Sequence, residues 1–268
     1  MSRIAERFAA LRARREGALI PFIVAGDPDL ATTVRIMAAL ARAGADVIEL
    51  GVPFSDPLAD GPVNQAAYDR ALRNGATVDG VLKAVRQFRA TSQVPVVLMT
   101  YSNPVAQYGW DRFAAAAAQA GADGVLATDL PPEEADAWLP HARAAGLDTI
   151  FLLAPTSPDS RIELAQRLAT GYVYCVSRLG VTGAREQLPQ EARALVQRVR
   201  AKVTIPVVVG FGISRPDQVR AVCEFADGAV VGSALVRLIG EHGIGRDLES
   251  AVEEFAADLK AATAAVAK

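Results

Sequence analysis

Apolar runs of four to six residues alternate along the chain with longer, alanine-rich segments in which apolar positions recur every three or four residues. A short continuous run marks a strand buried on both faces, and the slower repeat marks a helix with one buried side. On this pattern strands are expected at 19–25, 47–51, 95–101, 124–129, 149–154, 172–177, 206–212 and 229–234. Their spacing of about thirty residues is what a parallel strand with a crossover helix requires. Amphipathic segments outside this series predict one extra helix around residues 2–15 and another around 246–265.

A weak internal echo reinforces the alternation. "RAGADVIELG", "QAGADGVLATD", "AAGLDTIFLLA" and "FADGAVVGS" each join a helix end to a strand start. The glycine there suits a left-handed helix cap before the chain turns into the sheet. No Gly/Ser-rich linker, charge block or composition shift interrupts residues 1–268, so a single domain is expected. Eight βα units in that length close most simply as a (β/α)8 barrel, the TIM-barrel class of α/β fold, here with an extra N-terminal helix. A doubly wound sheet is disfavoured, because no GxGxxG follows the first strand, where the chain reads "AGDPD".

Composition narrows the setting. A formal net charge of -2 and a pI near 5.8 give no basic footprint for nucleic acid or an anionic membrane. No run approaches the roughly 18 apolar residues of a transmembrane helix. The N-terminal "MSRIAERFAALRARREG" reads as an amphipathic helix rather than a signal peptide, so a cytoplasmic protein is expected. Cys175 and Cys223 fit reduced, buried thiols better than a disulfide or a metal site.

Candidate chemistry collects at the strand ends. In a barrel of this kind the C-terminal ends of the strands and the loops after them face the active site. Glu49 interrupts the apolar run of the second strand, and the strand's period of two turns it into the barrel while Ile48 and Leu50 face outward. A carboxylate desolvated there has a raised pKa and can both give and take a proton near neutrality. The loop that follows, "PFSDPLADGP", sets Asp56 and Asp60 among prolines and a glycine that exclude regular structure. Asp60 is the candidate partner of Glu49, since two carboxylates in different environments make an acid/base pair. Asp56 reads as a loop-shaping residue.

The remaining residues limit the reaction class. Lys83, Lys202, Lys260 and Lys268 all lie in helices or before a strand, which excludes Schiff-base catalysis in the barrel mouth. His141 and His242 lack ligand spacing, so no metal site is expected. "GFGIS" follows the seventh strand and "GSALV" the eighth, where these barrels hold phosphate through backbone N–H groups at a short helix opened here by Gly232 and Ser233. The polar stretch "SRLGVTGAREQLPQEA" has the length of a closing lid. Phe22, Leu98, Tyr101, Leu126, Tyr174 and Phe211 offer apolar surface beside the acids. These residues by themselves lead to a cofactor-free lyase or isomerase acting on a phosphorylated compound with an apolar portion.

As a set the motifs resemble the α subunit of tryptophan synthase. "GADVIELGVPFSDPLADGP", "TYSNP", "DLPPEE", "SRLGVTG", "GFGIS" and "GSALV" match that family's motifs in order over nearly the whole chain. The resemblance implies a (β/α)8 barrel that cleaves indole-3-glycerol phosphate to indole and glyceraldehyde 3-phosphate by a retro-aldol step, with no cofactor of its own. It also implies an α2β2 heterotetramer with a β subunit, which carries pyridoxal phosphate and converts the indole to tryptophan. By matching positions, Glu49 would be the general acid/base, and an ionised Asp60 would accept the indole N–H and stabilise the indolenine. Phe22, Tyr101, Leu126 and Asp129 would border the indole, and Tyr174 would hydrogen-bond near Glu49. Thr182 and Gly183 would belong to the lid, while Gly183, Phe211, Gly212, Gly232 and Ser233 would surround the phosphate. Val63 and Asn64 depart from the β-branched pair more usual after "DGP". The alternatives are a stand-alone lyase releasing free indole, an inert barrel that activates a partner, and a sugar-phosphate isomerase. Intact Glu49 and Asp60 argue against the second, and "FLLAPT", with no acid at the end of the fifth strand, argues against the third.

Overall fold

Among the described residues the β-branched and leucine-rich runs form nine parallel strands: β1 (Ala18–Val24), β2 (Ile48–Gly51), β3 (Val96–Thr100), β4 (Gly124–Ala127), β5 (Asp148–Thr149), β6 (Phe151–Leu153), β7 (Val173–Val176), β8 (Val207–Gly210) and β9 (Gly228–Val231). The computed structural model describes residues 1–176, 188–210, 212–245 and 247–264. The strands lie in the order β5-β4-β3-β2-β1-β9-β8-β7-β6. β5 pairs with β4 and β6 with β7, and only Ile150 separates the two segments. They are the two halves of the expected fifth strand, so the sheet's two ends meet in one stretch of chain and the barrel closes. Glycine makes room for that junction: a Cβ on Gly124 would stand 2.9 Å from Cδ1 of Ile150.

Around the barrel run α1 (Arg3–Arg14), α2 (Leu30–Arg42), α3 (Pro62–Arg73), α4 (Val78–Arg89), α5 (Ser102–Tyr108), α6 (Trp110–Ala120), α7 (Leu139–Ala145), α8 (Asp159–Leu168), α9 (Leu188–Arg200), α10 (Pro216–Cys223), α11 (Ser233–His242) and α12 (Leu248–Ala261), with a 3-10 turn at Pro132–Ala137. No described helix is long and apolar enough to cross a membrane. The strand period of two divides the core. Ile20, Phe22, Val97, Met99, Tyr174 and Val230 point inward as one cluster, while Leu19, Ile48, Leu50, Cys175 and Val209 pack outward under the helices. Leu98, expected beside the acids, belongs to the outward set, and its neighbour Met99 takes the inward position. The extra helix α1, capped by Ser2 accepting from the Ala5 N–H, sends Ile4, Phe8 and Leu11 into the interior cluster and closes the barrel's N-terminal end.

The internal echo has a structural role beyond its glycines. Gly44, Gly121 and Gly146 do follow helices in the left-handed region, with φ of 91°, 91° and 71°. The aspartates two residues on then clamp neighbouring strands. Asp46 accepts from the Leu19 N–H at 2.8 Å and Asp123 from the Val96 N–H at 2.8 Å; Asp227, of the variant "FADG" form, accepts from the Val207 N–H at 2.9 Å. In return the N–H groups of these aspartates donate to the carbonyls of Leu19, Val96 and Val207. Cations complete the clamps: Lys260 on Asp46, Arg3 and Arg89 on Asp123, and Arg200 on Asp227. Asp148 is the exception, its buried Oδ2 having no hydrogen-bond partner among the described residues.

This difference between equivalent positions sets a stability test. Asp123→Ala leaves the half-buried guanidinium of Arg89 without its counter-charge and frees the Val96 N–H, and is expected to lower the unfolding free energy by about 3–5 kcal/mol. Asp148→Asn removes no partner and is expected to change it by less than about 1 kcal/mol. Urea unfolding of both variants, followed by circular dichroism, checks the contrast; equal losses would contradict it.

Candidate active site

Glu49 sits in β2 between Ile48 and Leu50, both of which face the helices, so its side chain turns into the barrel, opposite Phe22 of β1 and Val97 of β3 in register. It is 0% exposed. The Tyr172 hydroxyl donates to Glu49 Oε1 at 2.6 Å, whereas Oε2 is buried with no partner among the described residues. Burial pushes the Glu49 carboxyl up to about 7, and the Tyr172 hydrogen bond pulls against that rise. Burial, reinforced by Glu49, raises the Tyr172 phenol far above its ordinary value, so it stays a donor. Phe8 of α1 packs on Tyr172 with ring centroids 6.0 Å apart, which ties the acid to the helix that plugs the barrel.

The hydroxyl on Glu49 is thus that of Tyr172, while Tyr174, expected to hydrogen-bond near Glu49, lines the same cavity. The two tyrosines share a face by the period of two, and the stagger between facing strands decides which one reaches the acid. Tyr174 lies higher in the interior, in the space that Gly210 leaves open: a Cβ on Gly210 would stand 1.9 Å from the Tyr174 hydroxyl oxygen.

Asp60 ends the loop between β2 and α3. The Tyr101 hydroxyl donates to its Oδ2 at 2.6 Å and the Asn64 side-chain amide to its Oδ1 at 3.0 Å. Tyr101 is itself positioned by the Ala59 N–H, which donates to its hydroxyl at 3.1 Å. Burial raises the Asp60 carboxyl above its ordinary value, and the hydrogen bonds from Tyr101 and Asn64 oppose the rise without cancelling it. A loop aspartate expected to be simply ionised is more deeply enclosed than its Pro/Gly surroundings suggested.

A cavity of about 290 Å³ brings the two carboxylates together with Phe22, Tyr174, Gly212, Gly232 and Ser233 from the expected set. Two helices begin at its wall: α3, with Gly61 and Pro62, and α11, with Gly232 at the cap and Ser233 in the first turn. Both therefore present the positive ends of their dipoles. Arg237, one turn along α11 from Ser233, is the cation among the described lining residues.

Other expected residues are placed elsewhere. Tyr101 acts on Asp60 rather than on the cavity itself. Leu126 is buried in the interior cluster but does not line the cavity. Asp129 accepts from the backbone N–H and the hydroxyl of Ser102, both at 2.7 Å, and so caps α5 instead of facing the cavity. Thr182, Gly183 and Phe211 lie outside the described residues, as do residues 177–187 of the expected lid, whose last five residues, 188–192, belong to α9 instead of a loop. Sequence reasoning missed Tyr172, Met99 and Arg237. The first two obey the inward period, and Arg237 carries the i+4 helical spacing from Ser233.

The sequence model for the family described as tryptophan synthase alpha chain matches residues 8–266. The chain belongs to the tryptophan synthase α chain family. The tryptophan synthase alpha chain of Pelobacter propionicus is 51% identical over 262 residues, covering 98% of each chain. Tryptophan synthase subunit alpha from Legionella pneumophila superposes with a TM-score of 0.91 at 42% identity, over 98% of both chains. A chain of the tryptophan synthase complex from Pyrococcus furiosus matches with a TM-score of 0.84 at 40% identity, over 91% of this chain and 98% of that one.

For this tryptophan synthase α family member, a buried Glu49 has a consequence for stability. Below pH 4.5, the ordinary value of the group, it is protonated in both folded and unfolded states and costs nothing. Between 4.5 and about 7 the unfolded chain releases the proton first, so stability falls as pH rises, and above about 7 the full cost stands. That cost is on the order of 3 kcal/mol. Glu49→Gln is therefore expected to melt close to the wild type near pH 4.5 and above it near pH 8.5. Melting curves at both pH values check this, and a difference independent of pH would contradict it.

Proposed function

We propose that this chain catalyses the α reaction of tryptophan synthase, the retro-aldol cleavage of indole-3-glycerol phosphate to indole and D-glyceraldehyde 3-phosphate, by general acid/base chemistry without a cofactor of its own. Glu49 carries the reading: a carboxylic acid with its pKa near 7, one oxygen held by Tyr172 and the other without a partner among the described residues, beside a cavity it shares with Asp60. Protonated Glu49 gives its proton to the ring carbon that bears the glycerol chain. Positive charge then develops at the indole nitrogen, whose N–H points to Asp60, and the aspartate's charge stabilises it. Glu49, now a carboxylate, takes the proton of the hydroxyl on the carbon next to the ring. That carbon's bond to the ring breaks, its electron pair restores the aromatic indole, and the oxygen becomes the aldehyde. Glu49 ends protonated, as it began.

Phe22 and Met99 supply apolar surface for the indole. The N-terminus of α11 and the guanidinium of Arg237 suit the phosphate. The reading extends to an α2β2 complex in the cytoplasm, in which the β subunit holds pyridoxal phosphate and consumes the indole. The Pyrococcus furiosus relative, solved as a tryptophan synthase complex, supports the presence of a partner subunit.

Indole release from indole-3-glycerol phosphate, measured with and without added β subunit, tests the function. A rate that rises with the β subunit is expected; a full rate alone would favour a stand-alone lyase, and no indole in either case would overturn the reading. Asp60→Asn is expected to lower kcat by on the order of 10² or more with KM changed little, because its charge acts mainly in the transition state. Glu49→Gln is expected to lose at least about 10² in kcat while still binding the β subunit, which pull-down and steady-state assays check together.

A further inference from the structure

Indole-3-glycerol phosphate, the substrate on which this inference rests, carries three hydrogen-bond donors away from its phosphate. The indole N–H is assigned to Asp60, and the hydroxyl on the carbon that becomes the aldehyde is assigned to Glu49. The second glycerol hydroxyl, one carbon nearer the phosphate, has no acceptor in that scheme. Among the described residues three buried side-chain oxygens have no hydrogen-bond partner: Glu49 Oε2, Asn64 Oδ1 and Asp148 Oδ2. Asp148 lies in β5, on the N-terminal half of the fifth strand, and does not line the cavity. The other two residues do. A buried acceptor left without a partner costs free energy, and native proteins keep few of them.

The orientation of Asn64 follows from its neighbour. Asp60 Oδ1 receives the Asn64 amide at 3.0 Å, and a carboxylate oxygen calls for a donor, so the NH2 group faces Asp60 and the carbonyl oxygen is turned from it. Asn64 is the third residue of α3, after Pro62, and its backbone is therefore fixed by the helix start. Gln65 secures the same corner, its amide donating to the carbonyls of Pro57 and Asp60. A rigid amide with one end committed to the catalytic loop and an unpaired acceptor at the other is built to receive a donor from a ligand.

We propose that Asn64 contacts the substrate, its amide N–H fixing Asp60 while its carbonyl oxygen accepts the hydrogen bond of the glycerol hydroxyl nearer the phosphate. Asn64 then sets specificity for a hydroxylated three-carbon chain. An analogue lacking that hydroxyl leaves the buried oxygen unpaired, and a site built to bond a hydroxyl discriminates against the molecule without it. The same residue stands where the resemblance to the family leads one to expect a β-branched side chain, which has no amide to reach Asp60 and the glycerol hydroxyl at once.

The test runs the reaction in the direction of synthesis, condensing indole with D-glyceraldehyde 3-phosphate or with 3-phosphooxypropanal, which differs only in lacking the hydroxyl. The wild-type chain is expected to prefer the hydroxylated aldehyde by about tenfold in kcat/KM, the worth of one good hydrogen bond. In Asn64→Leu, nearly isosteric and without polar atoms, that preference is expected to shrink to within about twofold. Asn64→Ala serves as a second variant, with thermal unfolding checking that both fold. If Asn64 only positions Asp60, the variants lose rate equally with both aldehydes and the preference persists, which overturns the proposal. A wild-type chain indifferent to the hydroxyl overturns it as well. Failure of the wild type to condense indole with either aldehyde is a separate result, and it removes the proposed function along with the contact.

Discussion

An acid enclosed in the interior of a closed parallel barrel governs the rest of this structure. With no exposed surface and one neutral donor, Glu49 can hold its proton to about pH 7, whereas a salt bridge in the same place would have held it ionised. The donor is Tyr172, and Tyr172 is packed by Phe8 of α1. The extra helix at the barrel's N-terminal end is therefore connected to the chemistry at the other end through one aromatic contact and one hydrogen bond. Gly210 belongs to the same arrangement, since its missing side chain admits Tyr174 to the interior.

Carboxylates serve three purposes here, and their partners separate them. Asp46, Asp123 and Asp227 meet cations and backbone N–H groups at the strand starts, where they sew neighbouring strands together. Asp60 meets two neutral donors, Tyr101 and Asn64, which orient it without neutralising it. Glu49 meets one neutral donor and no cation among the described residues, packed in the interior cluster. Charge, orientation and proton-holding follow in that order from cation, amide or phenol, and burial. The same division follows the barrel axis, with stability at the N-terminal rim and chemistry at the C-terminal one.

Much of this was legible along the chain. The thirty-residue alternation carries the barrel, because each βα unit repeats the same burial problem and each solves it with the same periodicities. Glu49 is legible because Ile48 and Leu50 must face the helices, which leaves the acid one direction. Gly232 and Ser233 are legible because their loop follows the last strand of a repeating series. The aspartates of the echo were visible as letters, but their clamp role was not, since a hydrogen bond to the start of a neighbouring strand spans 20 to 27 residues of sequence.

By itself, then, the order of residues determined the fold class, the inward acid and the family, all of which depend on period and local motif. Only the folded chain decided that Tyr172 rather than Tyr174 meets Glu49, that Met99 rather than Leu98 faces the cavity, that Asp129 is spent on Ser102, and that Asn64 turns its amide to Asp60. Each of these depends on stagger across the barrel or on the path of a loop. A period of two tells which face a side chain takes, while its height on that face and the atom it meets come from strands and loops distant in the chain.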